Sequence, residues 1–295
     1  MSNQEKNIKD ISTVCLSPEE LAKLSEYITE HKATKPVMKC LLSAVNAGAF
    51  IALAFMFYTT CLADGYSKLI GGICFSLGLL LCVVMGGELF TSSTLTLVAK
   101  SAKLITWKRV FSNWSLVYFG NLIGSLLIVT LVMVARQYEA FDGKWGAVIL
   151  NTSLHKLEHM REGEPYWRGF LECVASGIFC NLMVCIGVWV SFAGKTLTDK
   201  AVATIFPVAL FVSSGFEHCI ANMFMIPAGI CVLNFADAEF WRATGLVASD
   251  FAQINVVNFI INNLIPVTIG NIIGGGIMIG VYNWYTNCRA GQTKA

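Results

Sequence analysis

Three stretches of this chain, residues 110–135, 173–194 and 251–288, contain no Asp, Glu, Lys or Arg. Two more contain almost none, since 201–236 holds only Glu217 and 41–99 only Asp64, Lys68 and Glu88. A helix needs about 20 apolar residues to cross the hydrocarbon core of a bilayer. Cut at their polar and Gly/Pro punctuation, these stretches supply six such lengths, near 41–61, 69–99, 110–135, 170–193, 202–235 and 256–287. The pattern predicts an all-α membrane protein with six transmembrane helices over 41–288. An amino-terminal segment, 1–40, precedes them and a short tail, 289–295, follows.

Charge sets the orientation and narrows the function. Charged residues make up 14% of the 295, against roughly 25% in an ordinary soluble domain. The net charge of +2 provides no basic field, so nucleic acid is not an expected partner. With both termini on one side, the loops of that side carry fourteen of the Lys and Arg residues and the opposite loops seven. The positive-inside rule therefore predicts cytoplasmic termini in a multi-pass protein of the cell (inner) membrane. Trp107, Trp114, Trp189 and Trp284 fall near predicted span ends, where an indole suits the headgroup level. The eleven cysteines show no CxxC pairing, so neither a disulfide framework nor a zinc site is expected, and they read as small core residues. No apolar h-region of a cleavable signal peptide precedes the first span, because the first forty residues carry twelve charges. Within them Ser17-Pro18-Glu19-Glu20 reads as a capping box opening a short amphipathic helix at the cytoplasmic face, either a passive interfacial helix or a gating or docking element.

The chain is internally repeated. Leu81-x-Val83-x-x-Gly86-x-Glu88 recurs as Leu210-x-Val212-x-x-Gly215-x-Glu217, an offset of 129 that also carries Gly48-x-Phe50 onto Gly177-x-Phe179. The third and sixth spans share Gly120-Asn121-Leu122-Ile123-Gly124 and Gly270-Asn271-Ile272-Ile273-Gly274. Two copies of a three-span unit must enter the bilayer in opposite senses, which is the inverted-repeat design of transporters and channels.

The second and fifth spans are too long for one crossing, and each has Gly and hydroxyl residues at mid-depth, around 86–94 and 213–222. Broken helices are expected there, and their freed backbone groups are tolerated only where they are buried in protein or line a cavity. Half-helix N-termini aimed at the centre suit a small anion. Glu88 and Glu217 are the carboxylates of the apolar depth, and their equivalent places favour bracing the broken backbone by accepting N–H bonds over handling protons. His218 is the histidine within a predicted span, and Thr91 faces it from the other break. An imidazole titrates near pH 6.5, which suits exchange of a proton with a passing acid. Asn121 and Asn271 read as helix-contact residues. A haem or metal hydrolase lacks its ligand set here, so no cofactor and no metal are expected. An intramembrane acid/base enzyme using Glu217 and His218 is the remote alternative, and the chain reads as no enzyme.

The runs Gly87-Glu88-Leu89-Phe90-Thr91-Ser92-Ser93, Gly215-Phe216-Glu217-His218-Cys219-Ile220-Ala221-Asn222, Lys68-Leu69-Ile70-Gly71-Gly72-Ile73-Cys74-Phe75-Ser76-Leu77-Gly78-Leu79 and Asn263-Leu264-Ile265-Pro266-Val267-Thr268-Ile269-Gly270-Asn271 resemble the formate/nitrite transporter family, most closely its formate channels. The resemblance spans about residues 32–286. It implies a homopentamer of aquaporin-like protomers, each with its own pore for formate and related small monovalent anions. Nitrite or hydrosulfide passage is the sibling alternative. It also implies roles for residues. His218 would be the central pore histidine with Thr91 its partner, and Asn181 a polar contact beside them. Phe75, Leu79 and Phe211 would form an outer constriction, and Leu89, Phe90 and Val184 an inner one. Lys156, in His155-Lys156-Leu157, would draw anions into the outer vestibule.

Overall fold

The computed structural model describes residues 16–161 and 163–289, and every regular element among them is helical. The tail beyond residue 289 and the first fifteen residues lie outside the described residues. Helix α1 (Pro18–Thr34) starts at the predicted capping box: Glu20 N–H donates to Ser17 Oγ at 3.2 Å and the Ser17 N–H to Glu20 Oε2 at 2.8 Å. The first span is α2 (Val37–Ala63) and the third α6 (Trp107–Val134); α8 (Tyr166–Ala193) is the fourth and α12 (Asn258–Cys288) the sixth. The last of these includes wide π-helical stretches at Asn258–Leu264 and Ile272–Val281, and a third, Tyr285–Arg289, at its end.

The second and fifth spans are broken, as their composition predicts. The second consists of α3 (Lys68–Met85), a gap, and the short helices α4 (Phe90–Ser93) and α5 (Thr96–Ser101). The fifth consists of α9 (Leu197–Ser213) and α10 (Cys219–Phe235). Both first halves end in the same way. Gly86 and Gly215, related by the repeat, take positive φ of 72° and 76°, a conformation that costs other residues about 1–2 kcal/mol. The next N–H then folds back, from Gly87 to the Cys82 carbonyl at 2.9 Å and from Phe216 to the Phe211 carbonyl at 3.0 Å. This is the 6→1 bond of a Schellman cap, and it stops both helices at equivalent positions.

Two elements escaped the sequence reading. Helix α7 (Lys144–Leu157) lies between the third and fourth spans, and the short α11 (Ala238–Thr244) turns 109° away from α10. Both are too short or too polar to register as spans. The placing of α7 just before the fourth span matches that of α1 just before the first, so the repeat unit is a pre-span helix followed by three spans.

Small residues bring the spans together. A Cβ on Gly124 would lie 1.9 Å from the Val45 carbonyl oxygen, and one on Gly274 would lie 2.3 Å from that of Ile178. The paired Gly-Asn motifs thus seat the third span against the first and the sixth against the fourth, as close packing in a bilayer requires. Large apolar side chains such as Phe57, Phe119, Leu131 and Phe206 remain exposed around the perimeter. Of the four tryptophans placed at headgroup level, Trp107 is exposed, but Trp114 points inward. Its indole N–H reaches the Ser93 carbonyl at 3.0 Å and Thr96 Oγ1 at 2.9 Å, because that broken span offers acceptors that the bilayer does not. Trp284 is likewise buried and bonds Glu26 of α1.

Candidate functional site

The breaks of the second and fifth spans meet at the centre, where two cavities approach without sharing a lining residue. The first, about 270 Å³, lies on the face opposite α1 and is lined by Phe75, Phe211, His155, Lys156 and His218 among others. The second, about 290 Å³, lies beside α1 and is lined by Leu79, Glu88, Ser92, Lys32, Lys35 and Lys200 among others. Phe75 and Leu79 stand one turn apart on α3, so the partition between the cavities crosses α3 at that turn. It also passes between His218, which lines the first cavity, and Thr91, whose neighbour Ser92 lines the second.

His218 caps α10. Its Nδ1 accepts the Ala221 N–H at 3.0 Å, the usual N-cap bond to the third residue of a helix. A ring nitrogen that accepts an N–H has its lone pair free, so a neutral imidazole here holds its proton on Nε2. That nitrogen lies 3.2 Å from Thr91 Oγ1 and therefore donates to it. The ring also stacks on Phe211 with centroids 5.8 Å apart, and Phe211 meets Phe75 edge-on at 5.9 Å. The partition is thus one polar bond set in an aromatic wall.

The remaining residues of the sequence reading divide. Asn181 is buried and donates to the Thr91 carbonyl at 3.1 Å, to Thr94 Oγ1 at 3.3 Å and to the Asn271 carbonyl at 2.6 Å, tying the second span to the sixth. Leu79 lines the cavity beside α1 rather than the one that Phe75 and Phe211 line. Leu89, Phe90 and Val184 are buried and line neither cavity, and the Phe90 ring packs edge-on against Tyr118 of α6 at 4.8 Å.

The glutamates differ from the expectation. Neither carboxylate braces the broken backbone; each is clamped by lysine. Glu88 takes Lys32 at 2.7 Å and also Lys35, from α1 and the link after it. Glu217 takes Lys156 Nζ at 3.2 Å, Asn222 Nδ2 at 2.6 Å and Asn263 Nδ2 at 3.1 Å. Burying a carboxylate without a partner costs several kcal/mol, and this requirement outweighs any use of the oxygens as backbone acceptors. The bracing falls to the two asparagines. Asn121 accepts the Phe90 N–H at 2.8 Å and donates to the Ala44 and Glu88 carbonyls at 2.7 and 2.8 Å. Asn271 accepts the Cys219 N–H at 3.0 Å and donates to the Gly177 and Glu217 carbonyls at 2.8 and 3.0 Å. Each amide satisfies the first N–H after its break and the carbonyl of its glutamate. Sequence reasoning missed Lys32, Lys35, Asn222 and Asn263; the repeat position of Asn121 and Asn271 was the available signal for the bracing pair.

Beyond Lys156, the segment leading to α8 is held by ion pairs. His159 faces Glu217 at 3.9 Å and Glu172 at 3.8 Å, and Arg161 and Arg168 reach Glu172 at 3.4 and 3.5 Å. Lys156, on α7, is buried and keeps its place at the wall of the first cavity.

The family model for the formate/nitrite transporter matches residues 19–285. The chain belongs to the formate/nitrite transporter family. Among relatives within it, the formate channel FocA of Escherichia coli K12 is 50% identical over 280 residues, covering 93% of this chain and 95% of that one. The FocA formate channel of Haemophilus influenzae is 46% identical over 281 residues, covering 93% and 96%. A solved structure of a pentameric formate channel with formate bound superposes with a TM-score of 0.76 at 46% identity, covering 85% of this chain and 97% of that one. As a formate/nitrite transporter family member this chain is a multi-pass membrane protein. Its relatives are named as channels and transporters, so Glu217 and His218 belong to a transport protein and not to an intramembrane enzyme.

Proposed function

We propose that this chain is a formate channel that also admits related small monovalent anions, nitrite among them, and that it works as a homopentamer in the inner membrane with both termini in the cytoplasm. The observation that carries the reading is the Thr91–His218 bond across an apolar partition between two lysine-bearing cavities. A formate entering the first cavity meets Lys156, and one entering the second meets Lys32, Lys35 and Lys200. At the partition the His218 Nε2–H turns from Thr91 to a formate oxygen. The aromatic wall excludes hydrated ions, since a bare charge there pays a large desolvation cost.

His218 acts as a neutral hydrogen-bond donor in this arrangement. Handing on its Nε2 proton would first require protonation at Nδ1, which would break the Ala221 bond that caps α10. The test is formate flux against pH in proteoliposomes for wild type and His218→Asn, with nitrite and hydrosulfide run alongside. Asn keeps a donor of similar reach and does not titrate. The expected result is a flux lower by about tenfold or less, the worth of one hydrogen bond, with superimposable pH profiles. Profiles that separate would establish a proton relay through His218. Formate flux no faster than through empty liposomes would remove the channel assignment.

Assembly has its own support. The structural neighbour, 46% identical, is a pentamer. Native mass spectrometry from mild detergent is expected to give a five-fold mass, and a monomer or dimer would overturn the assignment.

A further inference from the structure

The hairpin of α2 and α3 contains a chemistry that transport leaves unused. Cys61 lies on the last turn of α2 and Cys74 near the start of α3, and antiparallel packing brings their sulfurs to 3.3 Å with both thiols free. Here one thiol meets another, whereas Cys82, Cys173 and Cys185 point at backbone carbonyls. A disulfide needs about 2.0 Å between sulfurs, so closing the gap takes a movement of about 1.3 Å, within reach of small χ1 rotations. The hairpin itself holds the pair in register. Its turn is closed by the Asp64 N–H on the Thr60 carbonyl at 3.0 Å and the Tyr66 N–H on the Cys61 carbonyl at 2.9 Å. Tyr58 and Leu62 of α2 lie against Gly71 of α3, where an added Cβ would come within 2.8 Å of both side chains.

We propose that Cys61 and Cys74 form a disulfide that staples α2 to α3 at the wall of the first cavity. Tyr58, Leu62 and Lys68 of the same hairpin line that cavity, so the bond fixes one side of its mouth. Cys74 is half-buried and Cys61 is 8% exposed, which sets the order of events. The Cys74 thiolate attacks one sulfur of a disulfide oxidant, RSSR, and RS⁻ leaves. The Cys61 thiolate then attacks Cys74 Sγ and displaces the second RS⁻. The two protons of the cysteines end on the two RSH, and the oxidant takes the two electrons. This end of the hairpin is opposite the α1 face; with cytoplasmic termini it faces the compartment where such oxidants persist.

The test uses the full-length purified protein and oxidised glutathione, followed by denaturation, alkylation with N-ethylmaleimide and peptide mapping. Wild type is expected to yield a peptide pair linked through Cys61 and Cys74. Cys61→Ser is expected to accumulate a glutathione adduct on Cys74, and Cys74→Ser to leave Cys61 alkylated. Dithiothreitol should lower the thermal midpoint of the oxidised wild type and leave that of Cys61→Ser unchanged. Cys61 and Cys74 both alkylated in oxidant-treated wild type would overturn the proposal, and this measurement depends on no variant. The same mapping on cells quenched with N-ethylmaleimide before lysis reads the native state: linked peptides support the bond in the membrane, and free thiols there overturn it.

Discussion

Replacing Asn271 with leucine should cost more stability than any other single amide substitution in the described chain except its repeat partner, Asn121→Leu. Leucine keeps the volume but leaves the Cys219 N–H and the Glu217 carbonyl at the break without the bonds that the Asn271 amide makes, while the Gly177 carbonyl, inside α8, loses only a second donor. Buried polar groups left unpaired cost about 1–3 kcal/mol each, so the two at the break give an expected total of about 2–6 kcal/mol. Average side-chain bonds between membrane helices are worth only about 0.6 kcal/mol, because a disrupted helix finds other partners. The Cys219 N–H and the Glu217 carbonyl, at the break, have no helical alternative. Unfolding in detergent for Asn271→Leu, against Asn234→Leu as a control, checks it. Asn234 is exposed and bonds only the Ile230 carbonyl of its own helix, so its loss should stay within about 0.5 kcal/mol. Equal losses at the two positions would refute the bracing role.

The second large effect is expected at Lys156. Lys156→Met leaves the Glu217 carboxylate buried beside Asn222 and Asn263 without its nearest cation. Removing one partner of a buried pair costs about 3–5 kcal/mol, most of it the unpaired charge. Adding Glu217→Gln removes that charge, so the double variant should regain much of the lost stability. It should not regain transport, because the cavity still lacks its cation; formate uptake at low concentration is expected to stay at least about tenfold below wild type. Measuring thermal midpoint and uptake for both single variants and the double separates the two roles. A double variant no more stable than Lys156→Met would show that the pair does not act as a unit, and one with wild-type uptake would show that Lys156 does not attract the anion.

The extent to which the chain declares its structure depends on the range of the signal. The spans, the two breaks and the Thr91–His218 meeting were legible because each rests on a local pattern: charge-free runs, glycine and hydroxyl clusters, and a repeat that superposes one break on the other. The partners of Glu88 were not. Lys32 and Lys35 lie 56 and 53 residues from it, and hydropathy records that they are polar without recording what they face. Helix α7 escaped for a related reason. It buries Trp145, Ile149 and Leu150 against the bundle while carrying Lys156, so its apolar content is too low and its length too short for a span. The inward turn of Trp114 was hidden too, since its acceptors, the Ser93 carbonyl and Thr96 Oγ1, become available only once the second span is broken.

The lysine clamps on Glu88 and Glu217 bear on the direction of flow. The two glutamates are equivalent by the repeat, and each receives its cations from the segment just ahead of its own set of three spans, α1 with its link on one side and α7 on the other. Because the halves are inverted, an ion arriving from either compartment encounters the same sequence of events: a cationic basin, an aromatic wall, then the basin of the other half. Duplication has thereby written the two ends of the path in nearly the same hand. A passage built this way has no internal ratchet, and detailed balance leaves the sign of net movement to the chemical potentials on its two sides. Whatever preference the protein itself adds must come from what the halves do not share: two lysines on one glutamate and one on the other.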